Sequence, residues 1–353
     1  MRGLNWLSAL VFSAFSMPAA AEECIGRNLL DAMPPARLAE IRAAADAVPF
    51  ARGNFWQADK GPNRITLIGT YHFDDPRHDL ATDRFRDTVE QADALLVEAG
   101  PDEMVRLQAE LANRPDLVIL TKGPTLRERM TEEDWKKLTA VMKARGIPEI
   151  MVAKMQPWYL AMTLSVSPCL LRQIQSGKKV EGLDQRLTDI ALAADVPIKA
   201  LEPWDTAFKL FSDMTPGQEI EMIRMAIPAA ELADDYTATL AYAYFSGESR
   251  LVWEFSRYDA YENSGLTRDQ VDSQAADTEE KLMNRRNESW IAPLVAAADA
   301  AAEKDKGVVA AFGALHLSGE KGVLQLLQDQ GYTLTPLTVQ PSAAGTKGQA
   351  NGG

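Results

Sequence analysis

The sequence predicts an α/β protein with a mixed, partly parallel sheet and a large helical insertion. Short apolar runs rich in β-branched residues lie near both ends of the 353-residue chain, and segments with helical spacing separate them. Between about residues 204 and 302 the apolar spacing is helical throughout. Because strand, helix and strand in this order are typical of parallel units, we expect the functional site at the carboxyl ends of the strands.

Both ends of the chain are predicted to lie outside the fold. Residues 1–21 contain one Arg, an apolar stretch and a small-residue site at 19–21, which is the layout of a secretory signal peptide. Residues 22–340 are expected to form one domain, followed by a disordered tail at 341–353. The protein is therefore predicted to be periplasmic or secreted, without a transmembrane anchor.

Two cysteines, Cys24 and Cys169, remain in the mature chain. In an oxidising compartment they would pair and tie the N-terminus to the body of the domain. The alternative is two unpaired thiols. No Cys-x-x-Cys motif is present, so these residues are not expected to bind a metal.

The elements of the sheet can be assigned in chain order. Residues 64–72 and 94–100 are predicted strands around a helix at 80–93, and Pro101 begins the next helix. Capping signals and a terminal Gly predict a further helix at 125–146. The remaining candidates are two short strands at 178–184 and 196–202, then a strand at 307–316, a helix at 319–331 and a strand at 332–337.

Ionisable residues fall at the ends of these strand candidates. Five candidates end in, or just before, His72, Glu98, Glu181, Glu202 or His316. A charged side chain inside a buried strand would be costly, whereas at the carboxyl end it can face the crevice. These endings are the main reason to expect a site there.

Two of the three histidines occur in a Gly-x-x-His context, at Gly69–His72 and Gly313–His316. Glycine near the end of a strand allows another backbone or a ligand to approach closely. Two imidazoles and a carboxylate suit Zn²⁺, Mn²⁺, Fe²⁺ or Co²⁺ and leave positions for water and substrate. The alternative is that both histidines are hydrogen-bonded structural residues.

Other chemistries have no motif in this sequence. The formal net charge is −13 and no Lys/Arg-rich run occurs, so nucleic acid is not expected as a partner. No nucleophile elbow, His-Glu-x-x-His helix, P-loop or dinucleotide fingerprint is present. The third histidine, His78, lies in the polar segment "DPRHDL" and is interpreted as a surface residue, with a substrate contact as the alternative.

Several motifs together resemble the TraB/GumN family, whose wider group includes the animal Tiki proteins. They are spread over nearly the whole mature chain. The most specific lies within 312–337, where Gly-Ala-x-His-Leu-x-Gly-Glu-x-Gly precedes Leu-Leu-x-x-x-Gly-Tyr. The others are "GTYH" (69–72), "LLVEAG" (95–100), "MQPWYLAMTL" (155–164), "VEGLDQRL" (180–187) and "RRNESW" (285–290).

The resemblance implies a metal-dependent peptidase centred on His72, Glu98 and His316, with Mn²⁺, Co²⁺ or Zn²⁺ as the metal. Glu98 is either a ligand or the general base that takes a proton from water. Arg286 falls on a family position and suits a substrate carboxylate or an oxyanion, with a structural salt bridge to the acidic helices as the alternative. Asn287 is expected in the same crevice, with a hydrogen bond at a helix end as the alternative.

Two acidic residues, Glu181 and Glu320, are assigned to substrate binding. Glu320 matches a recurring acid after the second family histidine, and its alternative role is to cap a helix beginning near Ser318. Family members commonly have Glu where this chain has Asp184. This departure argues against a metal-ligand role for Asp184 and leaves Glu181 open.

Two classes of function remain. The first is an exported metal-dependent hydrolase that acts on a peptide or a similar amide or ester. The second is a non-catalytic envelope protein that binds or sequesters a peptide or a metal-bearing ligand in the same crevice. Haem or iron handling is a weaker third reading, because no axial partner is clearly placed.

Overall fold

A six-stranded mixed sheet forms the centre of the protein, which confirms the predicted fold class. The computed structural model describes Cys24 and residues 26–177 and 181–339, so the predicted signal peptide 1–21 and tail 341–353 lie outside the described residues. The strands are β1 (Phe55–Lys60), β2 (Asn63–Thr70), β3 (Leu95–Val97), β4 (Ile198–Ala200), β5 (Val308–Gly313) and β6 (Thr333–Pro336).

Helices account for most of the rest of the described chain, and a π-helical turn, Glu280–Asn284, joins two of them. None of these helices combines the length and apolarity needed to cross a bilayer, as far as the described residues go. The helices are α1 (Pro35–Asp46), α2 (His78–Glu90), α3 (Pro101–Asn113), α4 (Leu126–Arg129), α5 (Glu132–Ala144), α6 (Glu149–Val152), α7 (Pro157–Ser165), α8 (Pro168–Gln175), α9 (Leu183–Ala193), α10 (Thr206–Lys209), α11 (Pro216–Glu231), α12 (Ala233–Phe245), α13 (Ser249–Asn263), α14 (Arg268–Glu279), α15 (Arg285–Ala302) and α16 (Val323–Asp329).

The strand order is β4-β3-β5-β2-β1-β6. The first four strands in this order pair in parallel, whereas β1 is antiparallel to both β2 and β6. The carboxyl ends of β4, β3, β5 and β2 therefore lie along one edge of the sheet. This is the edge at which open parallel sheets bind ligands.

Two apolar cores cover the two faces of the sheet. Along β5, Val308, Ala310 and Phe312 pack into the core formed with α15 and α16. Between them, Val309 and Ala311 face the second core, formed with α2 and α9. Burial on both faces explains why this strand reads as a continuous apolar run rather than an alternating one.

The helical insertion packs around further cores of its own. Helices α4, α5, α7 and α11 share one apolar cluster, while α1 and α13 share another. A disulfide between Cys24 and Cys169, with Cα atoms 5.5 Å apart, joins the N-terminal segment to α8. The long stretch between β4 and β5 is helical from α10 to α15, in line with the predicted insertion.

Two local predictions need correction, and one strand has no counterpart among the predictions. The helix predicted at 125–146 is two helices, because the Thr131 side chain caps a new start for α5. In the segment predicted as a strand at 178–184, residues 178–180 are not described, and α9 already begins at Leu183. Strand β1 was not predicted, because its letters "FWQADK" mix apolar and charged residues. A turn at Gly61, with φ of 58°, folds it back onto β2.

A buried arginine joins the ends of three helices. Arg145 is 0% exposed. Its guanidinium donates to carbonyls in or just after the last turns of α5, α7 and α11: Val141 O at 3.0 Å, Leu164 O at 2.7 Å, Val166 O at 3.0 Å and Ala230 O at 3.1 Å. Helix C-termini leave such carbonyls without intrahelical partners, and a cation there is electrostatically favourable.

Candidate functional site

Four of the five predicted strand ends meet at the carboxyl edge of the parallel strands. His72 lies just beyond β2, Glu98 directly follows β3, Glu202 lies just beyond β4, and His316 ends a 3₁₀ turn that follows β5. The backbone itself binds two of these ends together, because the Glu202 N–H donates to the Glu98 carbonyl at 3.1 Å. We call His72, Glu98, Glu202, Arg286 and His316 the edge cluster.

Glu98 lies at the centre of the edge cluster. Its Oε1 accepts a hydrogen bond from the Gly313 N–H at 2.7 Å, and its Oε2 accepts one from Arg286 at 2.6 Å. Burial raises the pKa of Glu98, but His316 in its protonated form, the His72 and Arg286 charges and the Gly313 amide lower it to about 2 overall. Glu98 is therefore an ionised carboxylate at neutral pH.

His316 is held in one tautomer by its neighbours. Asn287 Nδ2 donates to the Lys321 carbonyl at 2.9 Å, which turns Asn287 Oδ1 towards His316 Nδ1 at 2.6 Å. Nδ1 must then carry the proton, and Nε2 accepts from Arg286 at 3.2 Å. Burial and the Arg286 charge lower the pKa of His316 to about 3 against the opposing charge of Glu98, so the ring is neutral and its Nε2 lone pair accepts the hydrogen bond from Arg286.

His72 approaches from β2 and is held by α9. Its Nδ1 lies 3.2 Å from Asp184 Oδ1, and the Leu183 N–H donates to the Tyr71 carbonyl at 3.1 Å. A Cβ on Gly182 would lie 2.5 Å from the His72 carbonyl carbon, so only glycine allows this approach. Burial lowers the pKa of His72, but Asp184 raises it to about 9; because 54% of the side chain is exposed, water screens this pair.

Arg286 connects the acidic groups of the edge cluster, and all five of its N–H groups have partners. Nε and one N–H of Nη2 donate to Glu202 at 2.6 and 3.0 Å, and the second N–H of Nη2 donates to Glu98. Nη1 donates to the Leu282 carbonyl at 2.9 Å and to His316 Nε2. Arg286 therefore forms a structural salt bridge, which was its alternative role. The partners are carboxylates at strand ends and not the acidic helices.

The three predicted metal ligands converge on one point beside Gly313. A Cβ there would lie 3.2 Å from His72 Nε2, 3.3 Å from Glu98 Oε1 and 3.6 Å from His316 Cδ2. The donor chemistry suits Zn²⁺, Mn²⁺ or Co²⁺, and the missing side chain leaves space between the donors. Across the described residues, however, no three His, Cys, Asp or Glu side chains have the spacing of a formed metal site, so these donors would have to move closer to bind one.

Comparison with known sequences identifies the family of this chain. The sequence model described as the TraB/PrgY/gumN family matches residues 54–336, which extend from β1 to the end of β6. The chain belongs to the TraB/PrgY/gumN family. A protein of Escherichia coli (strain K12) named "Uncharacterized protein YbaP" is 26% identical over 275 residues, covering 76% of this chain and 89% of that protein.

Two acidic residues predicted to bind substrate in this TraB/PrgY/gumN protein lie outside the edge cluster. Glu320 is exposed on the turn before α16, and it does not cap that helix, which begins at Val323 and not near Ser318. Glu181 is half-buried just before α9, and its carbonyl accepts from Arg186 at 3.3 Å. Substrate binding by either residue stays a prediction.

The interpretation of His78 as a surface residue is wrong. Its side chain is 0% exposed, Nε2 lies 3.0 Å from the Phe73 carbonyl, and Nδ1 has no hydrogen-bond partner among the residues that the structure describes. The rings of Tyr71, Tyr244 and Phe245 surround it at centroid distances of 5.9, 5.9 and 5.1 Å. His78 therefore belongs to an aromatic core beneath the loop that carries His72.

The sequence alone gives little or no role to two residues of this site. Asp184 was set aside because the family commonly has Glu there, yet it is the partner of His72 Nδ1. Glu202 was noted only as a strand end, yet it holds Arg286 and also accepts from Trp290 Nε1 at 3.0 Å. Position at the end of a parallel strand was the signal that identified Glu202.

Proposed function

We propose that this protein is an exported metal-dependent hydrolase that cleaves amide bonds in peptides. His72, Glu98 and His316 would hold a divalent ion such as Mn²⁺, Co²⁺ or Zn²⁺. The observation that carries the proposal is the convergence of these three groups beside Gly313, with His316 Nε2 4.0 Å from Glu98 Oε1. The proposed export depends on the signal-peptide pattern of residues 1–21.

The side chains of the cluster would divide the work between them. When bound, the metal ion would supply Lewis acidity and lower the pKa of a water molecule. Glu98, already ionised, is either a ligand or the acceptor of the proton from that water. Asn287 keeps the proton of the neutral His316 ring on Nδ1, which puts the lone pair on Nε2, and Asp184 would hold the Nδ1 proton of His72 in the same way once His72 Nε2 had lost its proton to make room for the metal.

Arg286 would act on the charge that develops on the substrate. Its Nη1 donates to His316 Nε2, so a metal at that nitrogen would displace this N–H, and because the guanidinium is planar the whole group would have to shift. Glu202, which accepts from Nε and Nη2, would keep the shifted guanidinium beside the reacting centre. A guanidinium fixed in this way is suited to stabilise an oxyanion.

The test combines metal content with cleavage of a peptide library by the purified mature protein. We expect near-stoichiometric metal and cleavage in the wild type, with both lost in His316→Gln. His78→Gln is the matched control, since it makes the same change at a histidine outside the edge cluster and should keep the metal. A folded wild type that retains no added metal, or a His316→Gln protein that cleaves normally, would contradict the proposal.

The alternative is a non-catalytic envelope protein that binds or sequesters a peptide. One observation favours it: Arg286 already uses the His316 lone pair that a metal would need. Under this reading the same preparation would bind peptides without cleaving them and without retaining metal. The two functions therefore give opposite results in a single experiment.

A further inference from the structure

A cavity of about 280 Å³ lies directly beside the edge cluster. Glu202 and Arg286 belong to both, and Leu201 and Pro203 extend the cavity floor beyond the end of β4. One wall comes from α10 and the residues after it, and the opposite wall comes from the π-helical turn and the start of α15. The cavity has the size and position of a subsite for a group next to the reacting bond.

The wall formed by the π-helical turn is basic in an otherwise acidic protein. There the Arg285 N–H bonds the Glu280 carbonyl in π register, and the side chains of Lys281 and Arg285 both line the cavity. Such π turns occur frequently at functional sites. The formal net charge of the whole chain is −13, so cations collected on one wall create a local attraction for an anion.

Lys281 is the cation on this wall that is available to a ligand. Arg285 pairs with Glu280 at 3.2 Å, and Lys209 on the opposite wall pairs with Asp205 at 2.9 Å. Lys281 makes no ion pair with any part of the chain that the structure describes. The opposite wall also carries Asp213, which would oppose an anion in the cavity.

We propose that this cavity binds a carboxylate of the peptide substrate, with Lys281 as the principal contact and Arg285 beside it. A single free ammonium matches a single negative charge. The carboxylate is either the α-carboxylate that ends the peptide or an acidic side chain next to the bond that is cleaved. This inference rests on the proposed function, because it takes the bound molecule to be the peptide that the edge cluster cleaves.

Binding titrations of two peptide pairs test the proposal without relying on cleavage. The first pair is N-acetyl-tetraalanine and its C-terminal amide, and the second is N-acetyl-Ala-Glu-Ala-amide and the same peptide with Gln. We expect the acid of one pair to bind about tenfold or more tightly than its neutral partner. The pair that shows this preference identifies the source of the carboxylate, and added salt should weaken it.

The variants test whether the carboxylate preference depends on Lys281 itself or only on the overall charge of the protein. Lys281→Gln should reduce the preference to about threefold or less, while Lys281→Arg should keep it. Lys306→Gln is the matched control, because Lys306 is also an exposed lysine without an ion pair in the described chain but lies just before β5, at the opposite edge of the sheet. Asp213→Asn should increase the preference, since it removes the opposing charge.

The outcomes also distinguish this inference from the proposed function. Equal binding of acid and neutral peptides, undetectable binding of all four, or the same loss in Lys281→Gln and Lys306→Gln would overturn the carboxylate site. A carboxylate preference without any cleavage would support the carboxylate site and contradict the proposed hydrolase function. Cleavage without any carboxylate preference would support the hydrolase function and overturn the carboxylate site.

Discussion

Replacing Arg145 by Met is expected to destabilise the protein more than almost any other single change outside the site. The side chain is fully buried and satisfies four carbonyls at the ends of three helices. Methionine occupies a similar volume but donates nothing. A buried acceptor left without a partner costs about 1–3 kcal/mol, so four would cost about 4–12 kcal/mol if nothing else changed.

The expected loss is smaller than that sum, because Arg145 itself is costly to bury. No carboxylate hydrogen-bonds to the guanidinium within the described residues, and burial lowers its pKa. Removing an incompletely compensated buried charge returns several kcal/mol. We therefore expect Arg145→Met to lower the free energy of unfolding by about 4 kcal/mol, and Arg145→Lys to lose about half as much because it keeps the charge and up to three donors.

Urea denaturation followed by tryptophan fluorescence measures this free energy from the midpoint and slope of the transition. The matched control is Arg106→Met on α3, where the arginine side chain is 63% exposed and pairs with Glu103 across one helical turn. That change should cost less than about 0.5 kcal/mol. If Arg145→Met stays within about 1 kcal/mol of the wild type, the carbonyl contacts do not hold these helix ends together.

Three further predictions concern the site and the core beneath it. Asn287→Leu removes the partner of His316 Nδ1 and should weaken metal affinity about 10–100-fold, measured by competition with a chelator; an unchanged affinity would contradict the assigned tautomer. Glu202→Gln replaces one of the two oxygens that accept from Arg286 by an NH2 donor and should lower the free energy of unfolding by about 2–4 kcal/mol in the same urea assay. Burial lowers the pKa of His78 below its usual value of about 6.5, so the unfolded state binds the proton first and stability should fall as pH drops from about 6.5 towards the folded pKa. His78→Gln should reduce the slope of that part of the stability curve and leave the share due to His316, whose pKa is also lowered, and an equal slope in both proteins would show that His78 is not responsible.

The parallel strands and their ends could be predicted because local sequence determines both. A strand buried on two faces must be apolar along its whole length, so β5 is visible as the run "GVVAAFG", and the first ionisable residues after such runs mark the carboxyl edge. His72, Glu98 and His316 were found in this way, whereas Glu202 follows β4, a largely exposed strand at the edge of the sheet that itself contains Lys199. Strand β1 escaped because only one of its faces is fully buried: Trp56 and Ala58 face the core formed with α15 and α16, while Gln57 and Asp59 on the other face stay partly exposed.

Partners distant in sequence could not be predicted from the same signals. The polar letters around His78 indicate a surface loop, but Tyr244 and Phe245 of α12, far along the chain, supply the rings that bury it. Likewise, the contact between Asp184 and His72 depends on how α9 packs against the end of β2. Sequence spacing identifies candidate side chains, whereas burial and pairing follow from tertiary packing.

The charges of the edge cluster explain why Glu202 is needed as well as Glu98. Two nearly buried carboxylates without a cation would be costly, and the single guanidinium of Arg286 pairs with both. A metal ion at Glu98 and His316 would compete with Arg286 for those two groups, but not for Glu202, which holds Nε and Nη2 from the other side. In the proposed metal-bound state, Arg286 would then lose its contacts with Glu98 and His316 without leaving the crevice. Glu202 is thus the group that would let the same arginine neutralise the cluster before a ligand binds and face the substrate afterwards.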